Sequence, residues 1–75
     1  MKVFIVERGE IYEGGWVVGV FLDPMKAEEV ALRQKTHFEG GWVYDKDSNP
    51  DNKRWENGCD FVSMMMFEID KEYDI

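Results

Sequence analysis

A strand-to-helix junction at residues 14–24 constrains the fold more than any other feature of the sequence. A glycine-rich turn leads there into an apolar segment, which stops at Asp23 and Pro24. Aspartate is a favoured N-cap because its carboxylate accepts a hydrogen bond from an amide of the first helical turn. Proline suits the next position because it has no amide hydrogen to leave unpaired. Met25 then begins a run of strong helix formers, which predicts a helix ending near Thr36.

Apolar runs rich in β-branched and aromatic residues predict strands on both sides of this helix. These runs are residues 3–6, 16–22 and 61–69. Residues 7–15 are polar and punctuated by glycine, which predicts a hairpin loop between the first two strands. Residues 45–58 are polar throughout most of their length, and we expect them to form a mobile loop.

The helix and strands together predict the fold class. Ala27, Val30 and Ala31 share one helix face and are small, so the helix should lie close to the sheet. The pattern predicts an α+β fold, a small three- to four-stranded, mostly antiparallel sheet with one helix packed on one face. Apolar residues fall on both faces of the strands, and alternation in the methionine run at residues 64–66 places its members on both. We expect the uncovered face to be an interaction site or a dimer interface.

The length of the chain limits how it can be stabilised. Residues 1–75 should form a single small domain, and at 75 residues one hydrophobic core is marginal. Cys59 is the only cysteine and His37 the only histidine, so neither an internal disulfide nor a Cys/His zinc site can reinforce the core. Self-association is the remaining means, and we expect a homo-oligomer, most simply a dimer.

The charge balance narrows the classes of partner. Sixteen acidic residues face nine basic ones, a formal net charge of −7. This excess disfavours direct binding to nucleic-acid phosphates or to an anionic membrane surface. No apolar run approaches the ~20 residues that a membrane span needs, and the first residues do not have the pattern of a signal peptide. We therefore expect a soluble, cytoplasmic protein.

No residue pattern predicts catalysis. Cys59 and His37 have no spacing typical of a nucleophile and its base, and the adjacent Glu28 and Glu29 point apart on a helix. The glycine pairs do not match a phosphate-binding fingerprint. We expect a protein that is not an enzyme and that needs no cofactor.

The five letters Glu-Gly-Gly-Trp-Val occur twice, at residues 13–17 and 39–43. One interpretation is that both segments are turns leading into strands, with glycines supplying unusual backbone angles. The other is a pseudo-symmetric pair of turns that presents Trp16 and Trp42 to a ligand. The residues around the two copies do not repeat, which favours the first interpretation.

Residues 45–56 overlay the spacing of a calcium-binding loop, with oxygen-bearing side chains at positions one, three, five and twelve. Pro50 occupies position six, where the sharp turn of such a loop needs glycine, and the flanking residues predict strands rather than helices. A solvated turn explains the same residues without an ion. We predict no metal site, and a calcium-stabilised structural domain stays an alternative.

Three features follow one another in the N-terminal half: the Met-Lys-Val-Phe-Ile-Val start, the Val-Gly-Val-Phe strand at residues 18–21, and the Lys-Ala-Glu at residues 26–28 near the start of the helix. In these features the chain resembles small uncharacterised phage and bacterial accessory proteins. The resemblance covers roughly residues 1–35. It implies a role in host takeover or counter-defence, and it brings no catalytic residue with it.

We therefore predict a non-enzymatic, phage-type accessory protein that binds and inhibits a host protein in the host cytoplasm, such as a nuclease or another defence component. The predicted aromatic anchors are Trp16, Trp42, Tyr44 and Trp55. The predicted acidic rim comprises Asp45, Asp47, Asp51 and Glu56.

The main alternative is a homo-oligomeric sponge that sequesters a small nucleotide-like signal by stacking it on the Gly-Gly-Trp turns. A phosphorylated ligand would require Arg8, Arg33 or Arg54 to cluster at the pocket, because the net charge of the chain is negative.

Overall fold

Two long hairpins supply most of the sheet. Strand β1 (Lys2–Glu10) turns through residues 11–13 into β2 (Gly14–Phe21), and β4 (Asn52–Asn57) turns through residues 58 and 59 into β5 (Asp60–Glu68). A short strand β3 (Val43–Tyr44) and one helix α1 (Pro24–Lys35) complete the fold. This computed structural model describes residues 1–35 and 41–72.

All strand pairs are antiparallel, and the strand order is β2-β1-β5-β4-β3. The central strand is therefore β5, and β2 and β3 form the two edges. The predicted α+β class is confirmed, but the sheet has five strands rather than three or four.

The additional strand β4 lies within residues 45–58, where the sequence predicted a mobile loop. That prediction was wrong because β4 is mostly polar and its burial depends on its neighbours. Alternation directs Trp55 into the core, while Arg54 and Glu56 point to the opposite face, and the backbone pairs with β5 over six residues. The predicted loop at residues 7–15 is likewise shorter, since β1 runs to Glu10 and β2 starts at Gly14.

Local chemistry places the helix where the sequence predicts it. The Asp23 carboxylate accepts a hydrogen bond from the Met25 amide at 2.9 Å, which makes Asp23 the N-cap. The buried residues of the helix are the small ones, Ala27, Val30 and Ala31, and they bring it close to the sheet. The predicted end at Thr36 lies outside the described residues.

The core lies between this helix and one face of the sheet. Alternate residues of β1 and β5 point toward the helix, and Val6, Val62 and Met64 are almost completely buried there. The β1–β5 register sets Val6 directly across from Met64. Phe4 and Trp55 close the two ends of this cluster.

The face of the sheet away from the helix is also apolar, and we call it the open face. Its apolar side chains come from four strands, and they are Val3, Ile5, Val17, Val20, Val43, Phe61, Met65 and Phe67. Within residues 1–35 and 41–72, no element packs over them. The expectation of an uncovered apolar face therefore holds for the described chain. In the same ranges, no helix combines the length and apolarity needed to cross a membrane.

A pair of methionine substitutions tests the position of the core. Met64→Ala should lower the free energy of unfolding by about 2–5 kcal/mol, because it leaves a cavity among buried side chains. Met25→Ala is the matched control, since Met25 is 78% exposed, and should change the free energy by less than about 0.5 kcal/mol. Urea denaturation followed by tryptophan fluorescence measures both at one protein concentration. Equal losses in the two variants would contradict the assignment of the core.

Candidate functional site

The strand order separates Trp16 from the other predicted aromatic anchors. One cross-strand row runs over the helix side of the sheet, and its members are Trp16, Arg8, Val62, Trp55 and Tyr44. Trp16 and Tyr44 stand at the two ends of this row, four strand spacings or about 19 Å apart. The four anchors therefore do not form one contiguous surface.

Trp55 is part of the core. It is 6% exposed, and it packs with the buried residues beneath the helix. The Tyr44 ring lies against it with centroids 5.5 Å apart and planes tilted by 50°, and the Lys35 ammonium sits 5.2 Å from its centroid. The buried Trp55 ring thus supports Tyr44 and has little exposed surface of its own.

Trp42 fixes the segment before β3 to the helix. Its indole N–H donates a hydrogen bond of 3.0 Å to the backbone carbonyl of Lys35, which is one of the last carbonyls of α1. The side chain is half-buried and packs against the core cluster. Tyr44, two residues later, is 47% exposed. The result is an exposed tyrosine held in place by two anchored tryptophans.

The polar segment after Tyr44 is an ordered turn. Asp45 accepts a hydrogen bond from the Asp47 amide at 3.0 Å, and Asn49 accepts hydrogen bonds from the amides of Asp51 and Asn52 at 3.0 and 3.1 Å. The Ser48 hydroxyl accepts a further hydrogen bond from the Arg54 amide. Such side-chain-to-backbone bonds are typical of Asx and ST turns.

These bonds leave Asp47 and Asp51 exposed in the turn that follows Tyr44. We call this surface the aromatic–acidic edge, defined by Trp42, Tyr44, Asp45, Asp47 and Asp51. Glu56, the fourth predicted rim residue, lies on the open face of β4, where it forms an ion pair of 2.9 Å with Arg54. Five of the eight predicted site residues therefore lie in one segment, residues 42–51. Trp55 lies buried against Tyr44, and Trp16 and Glu56 lie on other surfaces.

The same turn uses the oxygens that resembled a calcium loop. The carboxylate of Asp45 and the amide of Asn49 bind backbone N–H groups, and Glu56 points away with Arg54. Across the described ranges, no group of three or more His, Cys, Asp or Glu side chains is arranged to hold a metal ion.

The two Glu-Gly-Gly-Trp-Val segments lead into different surroundings. The first segment runs into β2 and the second into β3, and both are edge strands. This agrees with the turn-to-strand interpretation. Gly14 has a φ of +83°, and a Cβ on Gly15 would lie 2.6 Å from the Arg8 carbonyl oxygen. Gly41 has open space around it, and residues 39 and 40 lie outside the described residues. The two tryptophans face separate surroundings at opposite edges.

A cavity of about 340 Å³ beside the β1–β2 turn is the place where Trp16 could meet a ligand. Arg8 lies there 5.3 Å from the Trp16 ring centroid, and it donates a hydrogen bond of 3.0 Å to Gln34. The cavity is also lined by three carboxylates, those of Glu10, Glu13 and Asp60. Arg54 lies on the opposite face of the sheet and so does not cluster with Arg8.

Sequence reasoning missed the contact of Arg8 with Trp16 and the stack of Tyr44 on Trp55. Both are cross-strand neighbours, and the register that makes them so is set by pairing between distant strands. Comparisons with protein-family models, with curated proteins and with solved structures give no significant match. The function must therefore be argued from these residues.

Alanine substitutions at the second glycine of each repeated segment test whether the two copies are equivalent. Gly15→Ala should destabilise the protein by about 1–3 kcal/mol, because the new methyl group would meet the Arg8 carbonyl and the Phe61 ring at 2.6 and 2.9 Å. Gly41→Ala should change stability by less than about 0.5 kcal/mol, since no atom of the described residues beyond its chain neighbours lies within 4 Å of its added Cβ. Thermal unfolding compares the two variants. A similar loss in both would mean that the copies share one packing role.

Proposed function

We propose that the protein is a non-enzymatic accessory protein of the phage type, which binds and inhibits a host protein through the aromatic–acidic edge. The observation that supports this proposal is an exposed tyrosine on an edge strand, held by buried contacts and bordered by exposed carboxylates. Tyrosine and tryptophan dominate the binding energy of many protein interfaces.

The aromatic part of this edge is already ordered in the unbound chain. Tyr44 rests on Trp55, and Trp42 is hydrogen-bonded to the carbonyl of Lys35. A side chain held in this way loses little conformational freedom when a partner covers it. More of the contact free energy is then available for affinity, which is the behaviour expected of a binding anchor.

The backbone of β3 adds a second means of recognition. It pairs with β4 on one side, and no described strand pairs with its outer side. An extended segment of a partner could add to this edge through main-chain hydrogen bonds. At two residues β3 is short, which limits nonspecific edge-to-edge aggregation while leaving room for a specific contact.

The carboxylates define the chemistry of the partner. Asp47 and Asp51 are exposed in the turn that follows Tyr44, and the whole chain carries a net charge of −7. A complementary partner carries Lys and Arg around an apolar pocket. Nucleases and other nucleic-acid-binding proteins have such basic surfaces, and a protein that covers one would inhibit by excluding the nucleic acid. The nucleotide-sponge alternative gains no comparable support, because carboxylates surround the Trp16 cavity.

Two tyrosine substitutions test the proposed edge. Tyr44→Ala should reduce partner binding by about tenfold or more, as expected for an interface anchor. Tyr12→Ala is the matched control, because Tyr12 is 87% exposed in the β1–β2 turn, away from the edge. Immobilised wild-type and variant proteins are used to capture partners from bacterial extract, and quantitative mass spectrometry identifies proteins retained by the wild type and the control.

A partner must meet two further conditions. Its capture should weaken as salt is raised from about 0.05 to 0.5 M, because exposed charges are screened over shorter distances at higher ionic strength. Circular dichroism should show that Tyr44→Ala is folded. Equal capture by Tyr44→Ala and Tyr12→Ala would contradict binding through this edge.

A further inference from the structure

The open face carries exposed apolar side chains that no described element of the chain covers. Val20 and Val17 on β2 are 56% and 51% exposed, and Met65 on β5 is 42% exposed, with β1 between the two strands. Ile5 and Phe67 continue the patch toward the other end of the strands. A contiguous apolar patch of this kind indicates a contact surface.

The surface of this patch is concave at its centre. A cavity of about 130 Å³ opens there and is lined by Ile5, Glu7, Val17, Ser63, Met65 and Phe67. Ser63 lies on the central strand β5, and its short side chain forms the low point between larger neighbours. The face can therefore receive side chains from an opposing sheet.

Two opposite charges flank Ser63 in a defined geometry. The strand register places Glu7 of β1 beside Ser63 on one side and Arg54 of β4 beside it on the other. The two charges are thus two strand spacings apart, or about 10 Å. Arg54 is held in place, since its guanidinium carbon lies 4.4 Å from the Phe61 ring centroid and its Nε donates to Glu56 at 2.9 Å.

We propose that a second copy of this chain covers the open face, with the two sheets packed face to face around a two-fold axis parallel to β5. This axis exchanges the two sides of the sheet. Glu7 then faces the partner's Arg54, and symmetry forms the same pair a second time. An axis perpendicular to the strands through the same point would instead set like charges against each other, Glu7 on Glu7 and Arg54 on Arg54. For two copies centred on Ser63, the charges of Glu7 and Arg54 therefore favour the axis parallel to β5.

The area of the face is sufficient for such a dimer. β5 has nine residues and is about 30 Å long, and five strands span about 19 Å, so the face covers on the order of 500 Å². Two copies would bury about 1,000 Å² in total, the lower bound for a specific interface. Sheets packed in this way lie about 10 Å apart and enclose a sandwich core between them. A single 75-residue chain, whose helix covers one face of the sheet only, has no such core on its open face.

Charge reversal tests the interface and its symmetry together. Wild-type protein should be dimeric at micromolar concentration in analytical ultracentrifugation. Glu7→Arg and Arg54→Glu should each weaken dimerisation by at least about tenfold, because each variant sets like charges together twice. An equimolar mixture of the two variants should restore association as a heterodimer, which native mass spectrometry distinguishes by mass. Glu29→Arg, an equal charge change on the exposed side of the helix, should remain dimeric.

The double variant Glu7→Arg/Arg54→Glu separates the interface from the fold. It restores both opposite-charge pairs in a homodimer and should therefore dimerise, even though Arg54 has lost its contacts with Phe61 and Glu56. A monomeric wild type at about 100 µM would overturn the proposal, and so would a dimer that neither single reversal weakens. Partner capture through Tyr44 is measured separately, so failure of the dimer and failure of the proposed binding edge give different results.

Discussion

The nine-residue ladder between β1 and β5 is the contact on which the rest of the structure depends. It joins the first strand to the last, from Lys2 opposite Glu68 to Glu10 opposite Asp60, and so fuses two local hairpins into one sheet. The core forms on this ladder, because Val6 and Met64 face each other across it beneath the helix. Pairing the first strand with the last closes a long loop of chain. The conformational entropy lost in that closure must be offset by the apolar contacts that the ladder brings together. A weakened ladder would separate the helix from its packing contacts with β5.

The single helix gives the two faces of the sheet different chemistry. On its own side, the helix covers the small core and fixes the edge through the Trp42 hydrogen bond and the Lys35 contact with Trp55. On the other side, the strands keep apolar side chains around the opposed charges of Glu7 and Arg54. One chain thus carries a polar, aromatic edge suited to transient recognition and a broad apolar face suited to permanent burial.

Local signals made the helix and most strands predictable, whereas pairing made the site difficult to predict. Asp23 and Pro24 determine the start of the helix through hydrogen bonds within one turn, so the prediction needed no tertiary information. β4 was missed because its polar residues are stabilised by neighbouring strands and by contacts such as Lys53 with Glu28. For the same reason, Trp55 resembled an exposed anchor in the sequence: a tryptophan among polar residues gives no sign of its burial until the register is known. The grouping of Trp42, Tyr44 and the acidic turn depended mainly on closeness in sequence, and it was preserved.

The geometry of the proposed dimer connects the two surfaces. A two-fold axis along β5 leaves β3 at one side of the sandwich in the first copy and at the other side in the second, while both lie near the same end of the strands. The two aromatic–acidic edges would then be separated by about four strand spacings, roughly 19 Å across the sheet. Two edges on one rigid body can engage a partner that repeats its basic surface, and the second contact then forms at a high effective concentration. Burial of the open face would in this way increase the affinity of the binding edge.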